Sequence, residues 1–506
     1  MNAPHRAAGR GHAAALGRLL TAVVWVAWAC RPEGPWLASL VGAALVWPDL
    51  ARASGARTAA TAALLLAPVP ATAFEGLRVH DLGAWVAVVV AWSAAYGVVG
   101  AFGGWGVGRA WAPVVRPVGW AAAWAALDTA VVPGTPFLSV VPVTPGYLLL
   151  DGPMVALAAL GGPVVLGVAW VVLGAALAAA FGGFGGTAGR ARGRFAWGLV
   201  ALALAGGALA SSVAAGRAPT ASARTVAVVH GVGDEATLAA TRRAPEAVAG
   251  LVSALADRSR AFPAVDLHVW PESALGYVAP EALPALADAA RTLGAPVLAG
   301  GYRLDAEGGW RNSVALATDL AATWVLDKRF LVPGYEAWLT AGVGERWPVQ
   351  VAGRRWGVLV CWESLHLGAA LERARAADVL LVLTHDGWAG ATATPWWHAR
   401  SGRVLAWSTG RPVVVASHDG PSMAWSHDGR LLGSASSAEA GLTVALDPPW
   451  GWTTPYARLG PGGVGTVVAA AWVALWAAVW TARVARRAAA AATDRQGCGA
   501  SGPHAA

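Results

Sequence analysis

Eight long apolar stretches constrain this chain more than any other feature. Seven precede a polar block, with approximate cores at 13–30, 35–51, 58–74, 82–103, 111–132, 153–180 and 194–215, and one follows it at 463–482. A helix needs roughly 20 apolar residues to cross a bilayer, and most of these approach that length. The first three are short and Ala-rich, so their limits are weakly marked. Composition agrees: 56% of the 506 residues are hydrophobic and 13% are charged, against about 25% charged in an ordinary soluble domain. A wholly soluble enzyme, a disordered chain and a collagen-like chain are excluded.

The formal charge of +8 invites a nucleic-acid reading until it is located. Residues 216–462 hold 20 Arg and one Lys against 22 acids, a net −1, whereas the remainder holds 16 Arg against seven acids, a net +9. The basic excess therefore flanks the apolar segments, as a membrane protein requires, and no nucleic-acid partner is expected. With the N-terminus inside, the inward loops and tails carry 14 Arg, while the short outward loops carry only Arg31 and Arg78. That asymmetry predicts eight spans, both ends in the cytoplasm and the polar block outside. Ala27-Trp28-Ala29-Cys30 faintly resembles a lipoprotein cleavage site, but the bulky Trp28 and the apolar stretch that follows favour Cys30 as a core residue.

The expected organisation is a seven-span region at 1–215, a catalytic block at 216–462, and a final span with a cytoplasmic tail at 463–506. The block reads as α/β. Apolar runs at 225–229, 265–270, 296–300, 313–317, 356–361, 379–384 and 412–417 predict strands, and Ala-rich segments at 235–256, 280–293 and 364–376 predict helices. Strands this continuously apolar need cover on both faces.

Three residues of the block could carry chemistry. Cys361 ends an apolar run and is followed by Trp362-Glu363-Ser364. Three cysteines in 506 residues build no disulfide framework, so Cys361 is either inert packing or a nucleophile at a strand-to-helix turn. Lys328 is the single lysine beside 36 arginines. It is either an accident of an Arg-biased composition or a compact ammonium suited to stabilise an oxyanion. Glu272, in Trp270-Pro271-Glu272-Ser273, is either a helix-start acid or a desolvated general base with a raised pKa. His385-Asp386, His418-Asp419 and His427-Asp428 lack close ligand spacing and read as turn residues, so no metal and no cofactor is expected.

A base, an ammonium and a thiol at successive strand ends resemble the Glu-Lys-Cys triad of the nitrilase superfamily. Within it the chain resembles the membrane-embedded apolipoprotein N-acyltransferase family. The resemblance rests on Trp270-Pro271-Glu272-Ser273, Asn312-Ser313, Asp327-Lys328-Arg329 with Leu331-Val332-Pro333 and Glu336, Cys361-Trp362-Glu363, Asp386-x-Trp388-x-Gly390, Gly410-Arg411-Pro412 and Thr454-Pro455-Tyr456-Ala457-Arg458. The membrane frame adds to it. The chain departs from the family at Gly334-Tyr335, at Trp362 and at His385, where Phe-Gly, Tyr and Asn are usual.

The resemblance implies a polytopic α-helical membrane domain plus an extracytoplasmic α-β-β-α sandwich in a bacterial cell membrane. It implies ping-pong transfer of an acyl chain from a phospholipid, through a thioester on Cys361, to the diacylglyceryl-cysteine amine of an apolipoprotein. Glu336 becomes a second essential glutamate beside Lys328, and Trp362, Glu363, Trp338 and Trp388 are expected around the substrates. The glycines near Glu336 and the aromatic Trp338 point to a lid that dips into the outer leaflet. Two rivals share the motifs: a membrane-tethered carbon-nitrogen hydrolase acting on a small soluble substrate, and a non-catalytic membrane partner.

Overall fold

The structure, a computed structural model, describes residues 3–50, 55–104, 144–181, 223–343, 348–447 and 453–499, with a few isolated positions between them. The polar block folds as two sheets. The first holds β1 (Arg224–Val229), β2 (Leu267–Trp270), β3 (Tyr277–Val278), β4 (Val297–Leu304), β5 (Trp310–Ala317), β6 (Ala322–Asp327) and β13 (Gly441–Leu446). Its order is β13-β1-β2-β4-β5-β6, with β3 beside β4. The second holds β7 (Val349–Val351), β8 (Arg354–Val360), β9 (Val379–Thr384), β10 (Val413–Ser417), β11 (Ser422–Trp425) and β12 (Leu431–Ala435), in the order β12-β11-β10-β9-β8-β7.

Each sheet has three parallel central strands, β1-β2-β4 and β8-β9-β10, with antiparallel strands at its edges. Every residue of β9 and β10 is buried, so both faces of these strands are covered. Between the sheets lies one apolar layer in which Val226, Val269 and Leu298 belong with Val358, Leu381 and Val414. Helices Ala247–Ser259 and Leu283–Leu293 cover the outer face of the first sheet. Leu367–Ala376 and Thr394–Thr409 cover that of the second. The result is the expected α-β-β-α sandwich.

Thr394–Thr409 is buried at 13 of its 16 positions because it lies between the second sheet and the apolar helices of the rest of the chain. A single core joins Leu380 and Val415 of that sheet, Leu405 of the helix, and Trp47, Leu166 and Trp170 of the helical region. The polar block therefore sits on the helical region rather than hanging from a linker.

In the helical region His12–Ala29, Leu82–Ala101 and Pro153–Ala180 are long and apolar enough to cross a membrane. Trp36–Leu50 is shorter, at 15 residues. The stretch expected at 58–74 is divided into Gly55–Leu66 and Pro68–Ala73, because Pro68 lacks the amide that would continue the first helix. The stretches expected at 111–132 and 194–215 lie outside the described residues. The last, 463–482, falls within helix Pro455–Gly499. That helix approaches Ala158–Ala180 at Gly162, whose φ is +62°, and a Cβ there would meet the Tyr456 ring at 2.4 Å. Only glycine permits both the conformation and the contact.

Candidate active site

The parallel strands of both sheets deliver their C-terminal ends to one edge of the sandwich, where α/β folds commonly bind ligands. Glu272 follows β2, Cys361 follows β8, and His385-Asp386 follows β9. Lys328 arrives from the end of β6.

Both turns that matter are strained. Cys361 has φ +50° and Ser273 has φ +61°, a region that non-glycine residues adopt only when their surroundings hold them there. Gly300 gives the Glu272 turn its room, since a Cβ there would stand 2.5 Å from the Pro271 carbonyl and 2.6 Å from the Glu272 Cα. Glu363 braces the Cys361 turn. It is fully buried, accepts the Val360 amide at 2.9 Å on Oε2, and accepts the Arg329 amide at 2.8 Å on Oε1.

Glu272, Lys328 and Glu336 form a buried cluster. Lys328 Nζ donates to Glu336 Oε1 at 2.8 Å and to Glu272 Oε1 at 3.2 Å. Asn312 Nδ2 donates to Glu272 Oε1 at 2.7 Å, and the His385 amide donates to Oε2 at 2.8 Å. Glu336 Oε2 accepts the Val332 amide at 2.7 Å. Two carboxylates around one ammonium leave a net negative cluster, which sets the protonation states.

Burial would strip the Lys328 proton, but Glu272, the Cys361 position and Glu336 hold it well above the ordinary lysine range. Burial pushes the Cys361 thiol up, Glu272 adds to that, and Lys328 opposes them. For Glu272 the expectation of a raised pKa is corrected. Burial acts in that direction, but Lys328 and the Asn312 hydrogen bond outweigh it and hold the carboxyl below its usual range. The resting cluster is carboxylate, ammonium and thiol, and a base is present before substrate arrives.

A cavity of about 150 Å³ ends at Cys361. Phe74, Leu77 and Val88 of the helical region form one wall, and Tyr335, Trp362 and Trp388 of the block form another. Polar atoms contribute little of its surface. Glu272, Lys328 and Glu336 are not on its lining, whereas Asp386, Thr394 and His398 are. The helical wall is fixed by contacts at Gly76: its amide donates to Thr394 Oγ1 at 2.9 Å, and a Cβ there would stand 2.5 Å from that of Ala389.

The residues expected at the substrates divide. Trp362 and Trp388 line the cavity. Glu363 does not, because both its oxygens are committed to backbone amides. Trp338 is 47% exposed and stands away from the cavity among Tyr277 and Tyr302, with ring centroids 6.1 and 5.5 Å distant. Tyr335 takes the place at the cavity that the lid reading gave to Trp338.

Sequence reasoning left three residues out of the site: Asn312, Asp386 and His398. Two stood within the quoted motifs, whereas His398 had no signal beyond its type. Among the described residues, Cys361, Asp386 and His398 bring a thiol, a carboxylate and an imidazole within 4.8 Å of one another. Both ring nitrogens of His398 already meet protein partners, Asp386 and Ser364 at 2.9 Å each.

Residues 233–448 match the carbon-nitrogen hydrolase family. The curated apolipoprotein N-acyltransferase of Brucella suis biovar 1 (strain 1330) is 29% identical over 223 residues, covering 37% of this chain and 42% of that protein. That of Methylococcus capsulatus (strain Bath) is 28% identical over 239 residues, covering 43% and 47%. The chain thus spans less than half the length of these relatives. Among solved structures, a carbon-nitrogen hydrolase from Helicobacter pylori G27 is 17% identical with a TM-score of 0.36, covering 44% of this chain and 89% of that one. Residues 233–448 are thus similar to the carbon-nitrogen hydrolases, the curated likeness of the chain is to the apolipoprotein N-acyltransferases, and three of its helices are long and apolar enough to cross a membrane.

Proposed function

We propose that this chain is an apolipoprotein N-acyltransferase of a bacterial cell membrane, multi-pass, with residues 216–462 on the extracytoplasmic side. The observation that carries the reading is the apolar cavity that ends at Cys361 and takes one wall from the helical region. Asp386, Thr394 and His398 are the polar side chains on its lining beside Cys361; the rest is apolar, and a lipid chain needs the surface that Phe74, Leu77, Val88 and Trp388 offer.

Glu272 takes the thiol proton as the Cys361 sulfur attacks the ester carbonyl of a phospholipid. Lys328 and a backbone amide near Trp362 stabilise the tetrahedral oxyanion. Collapse breaks the ester C–O bond. Glu272 passes its proton to the departing lysophospholipid oxygen, and a thioester remains. The α-amine of a diacylglyceryl-cysteine attacks that thioester. Glu272 accepts the amine proton and returns it to the sulfur as the amide product leaves. Glu336 keeps Lys328 charged and oriented. Confinement of both substrates to one bilayer surface supplies the proximity that solution encounter lacks.

The test is the full-length protein in phospholipid vesicles with a synthetic diacylated lipopeptide, followed by mass measurement of the peptide. A gain of one fatty acyl group is expected. Fatty acid release or small-amide hydrolysis without that gain would favour the carbon-nitrogen hydrolase reading, and no reaction at all would contradict both.

A further inference from the structure

The mechanism above leaves two buried titratable groups at the nucleophile unused, Asp386 and His398. His398, on helix Thr394–Thr409, is 7% exposed and lines the cavity with Cys361 and Asp386. Its Nδ1 lies 2.9 Å from Asp386 Oδ1 and 3.2 Å from Thr384 Oγ1. Its Nε2 lies 2.9 Å from Ser364 Oγ. Ser364 in turn donates to the Cys361 carbonyl at 2.8 Å.

With Asp386 ionised and Ser364 donating to the Cys361 carbonyl, the contacts select one charge state for the ring. The Ser364 hydroxyl has one proton, and the Cys361 carbonyl can only accept it. Ser364 must therefore accept from Nε2–H. Asp386, as a carboxylate, must accept from Nδ1–H. Both ring nitrogens carry protons, and His398 is an imidazolium paired with Asp386. Burial opposes that state, but the Asp386 charge and hydrogen bond outweigh it and raise the imidazole above its ordinary value.

We propose that His398 is a positioning residue of the active site: its imidazolium neutralises Asp386 beside Cys361 and, through Ser364, holds the strained turn of the nucleophile. Without it, a 3% exposed carboxylate faces the thiol uncompensated and opposes formation of the thiolate. The other charged groups at Cys361 are Glu272, Lys328 and Glu336, all from the first sheet and its loops. Asp386 and His398 lie within 4.8 Å of the sulfur from the second sheet and its covering helix, and His385, 3.6 Å from Asp419, is the further titratable group at the end of β9. The inference rests on Cys361 being the nucleophile of the reading above.

The experiment is alkylation of Cys361 by iodoacetamide as a function of pH, in full-length protein carrying Cys30→Ala and Cys498→Ala. It uses neither phospholipid nor lipopeptide, so a failed acyl-transfer assay and a failed result here are distinguishable. His398→Gln is expected to move the midpoint of the rate–pH curve upward by about one unit or more, slowing alkylation at pH 7 about tenfold. The double variant His398→Gln with Asp386→Asn removes both charges and should return the midpoint to near that of the parent. A merely structural histidine gives the reverse pattern, because a second lesion in one network does not repair the first. Should His398→Gln fail to fold, His398→Lys keeps a cation beside Asp386 and should leave the midpoint in place. An unshifted midpoint in His398→Gln, no recovery in the double variant, or a shifted midpoint in His398→Lys each overturns the proposal.

Discussion

Glu336→Gln isolates the second carboxylate without changing the size of the side chain. Glu336 is 8% exposed, accepts Lys328 Nζ at 2.8 Å on one oxygen and accepts the Val332 amide at 2.7 Å on the other. A glutamine keeps one acceptor. Its NH2 must then face either the ammonium or the Val332 N–H, so a donor meets a donor whichever way the amide is turned. Removing one partner of a buried charged pair costs about 3–5 kcal/mol. Glu272 remains 3.2 Å from the ammonium and retains part of that attraction. We therefore expect a loss of about 2–3 kcal/mol of oxyanion stabilisation, on the order of 30- to 150-fold in rate. The assay is single-turnover acylation of Cys361 by a short-chain 4-nitrophenyl ester, read as the nitrophenolate burst. Its pH dependence carries a second sign. Both carboxylates hold Lys328 above its ordinary value, so Glu336→Gln lets that value fall, and activity should be lost at a lower alkaline pH than in the wild type. A wild-type burst rate in Glu336→Gln would refute the argument and return Glu336 to a plain structural role.

Lys328→Arg keeps the charge but forces a planar guanidinium into a site 1% exposed and bounded by Glu272, Asn312 and Glu336; at least a tenfold loss of the same burst is expected, and full activity would show the single lysine to be an accident of composition. Tyr335→Ala should impair long-chain donors more than short soluble esters because Tyr335 lines the cavity, whereas Trp338→Ala should leave that ratio unchanged; the opposite ranking in a chain-length series would restore the lid role of Trp338. A reporter active only outside the cytoplasm should be on when fused after Gly216 and off when fused after Arg190, and the reverse pattern would overturn the orientation.

The legible parts of the fold were those with strong local signals. The seven strands read from the sequence all form, because runs such as Val379–Thr384 are apolar at nearly every position and only a doubly covered strand uses that pattern. The segment 235–256 reads as one helix, yet it is two, Glu235–Ala240 and Ala247–Ser259, since Pro245 between them has no amide to donate. Helix Thr394–Thr409 escaped notice because Trp, Ser, Thr and Gly are weak helix formers, and burial between two layers decides the matter there. Strand β12, Leu-Leu-Gly-Ser-Ala, is likewise made by its neighbour rather than by its own preference.

Within the site, Glu272, Lys328 and Cys361 were visible as residue types that fit one chemistry in one order, and Glu336 only through the family resemblance. Their protonation was not visible, because the direction for Glu272 depends on Asn312 and Lys328 lying within about 3 Å of its carboxylate, a distance no spacing encodes. Trp338 shows the same limit. Its neighbour two positions earlier enters the cluster, but the side chain itself turns toward Tyr277 and Tyr302. The helical wall of the cavity was equally hidden, since Phe74 and Leu77 are remote in sequence from Cys361 and meet it only through the packing of the block on the helices.

The central claim is a thioester on Cys361 that is drawn from phospholipid and passed to an amine. Wild-type protein incubated with phospholipid alone should gain one fatty acyl mass on the peptide containing Cys361. That adduct should vanish when a diacylated lipopeptide is added, as the lipopeptide gains the same mass. An adduct on Cys30 or Cys498, or an acylated lipopeptide formed by Cys361→Ala, would contradict the account.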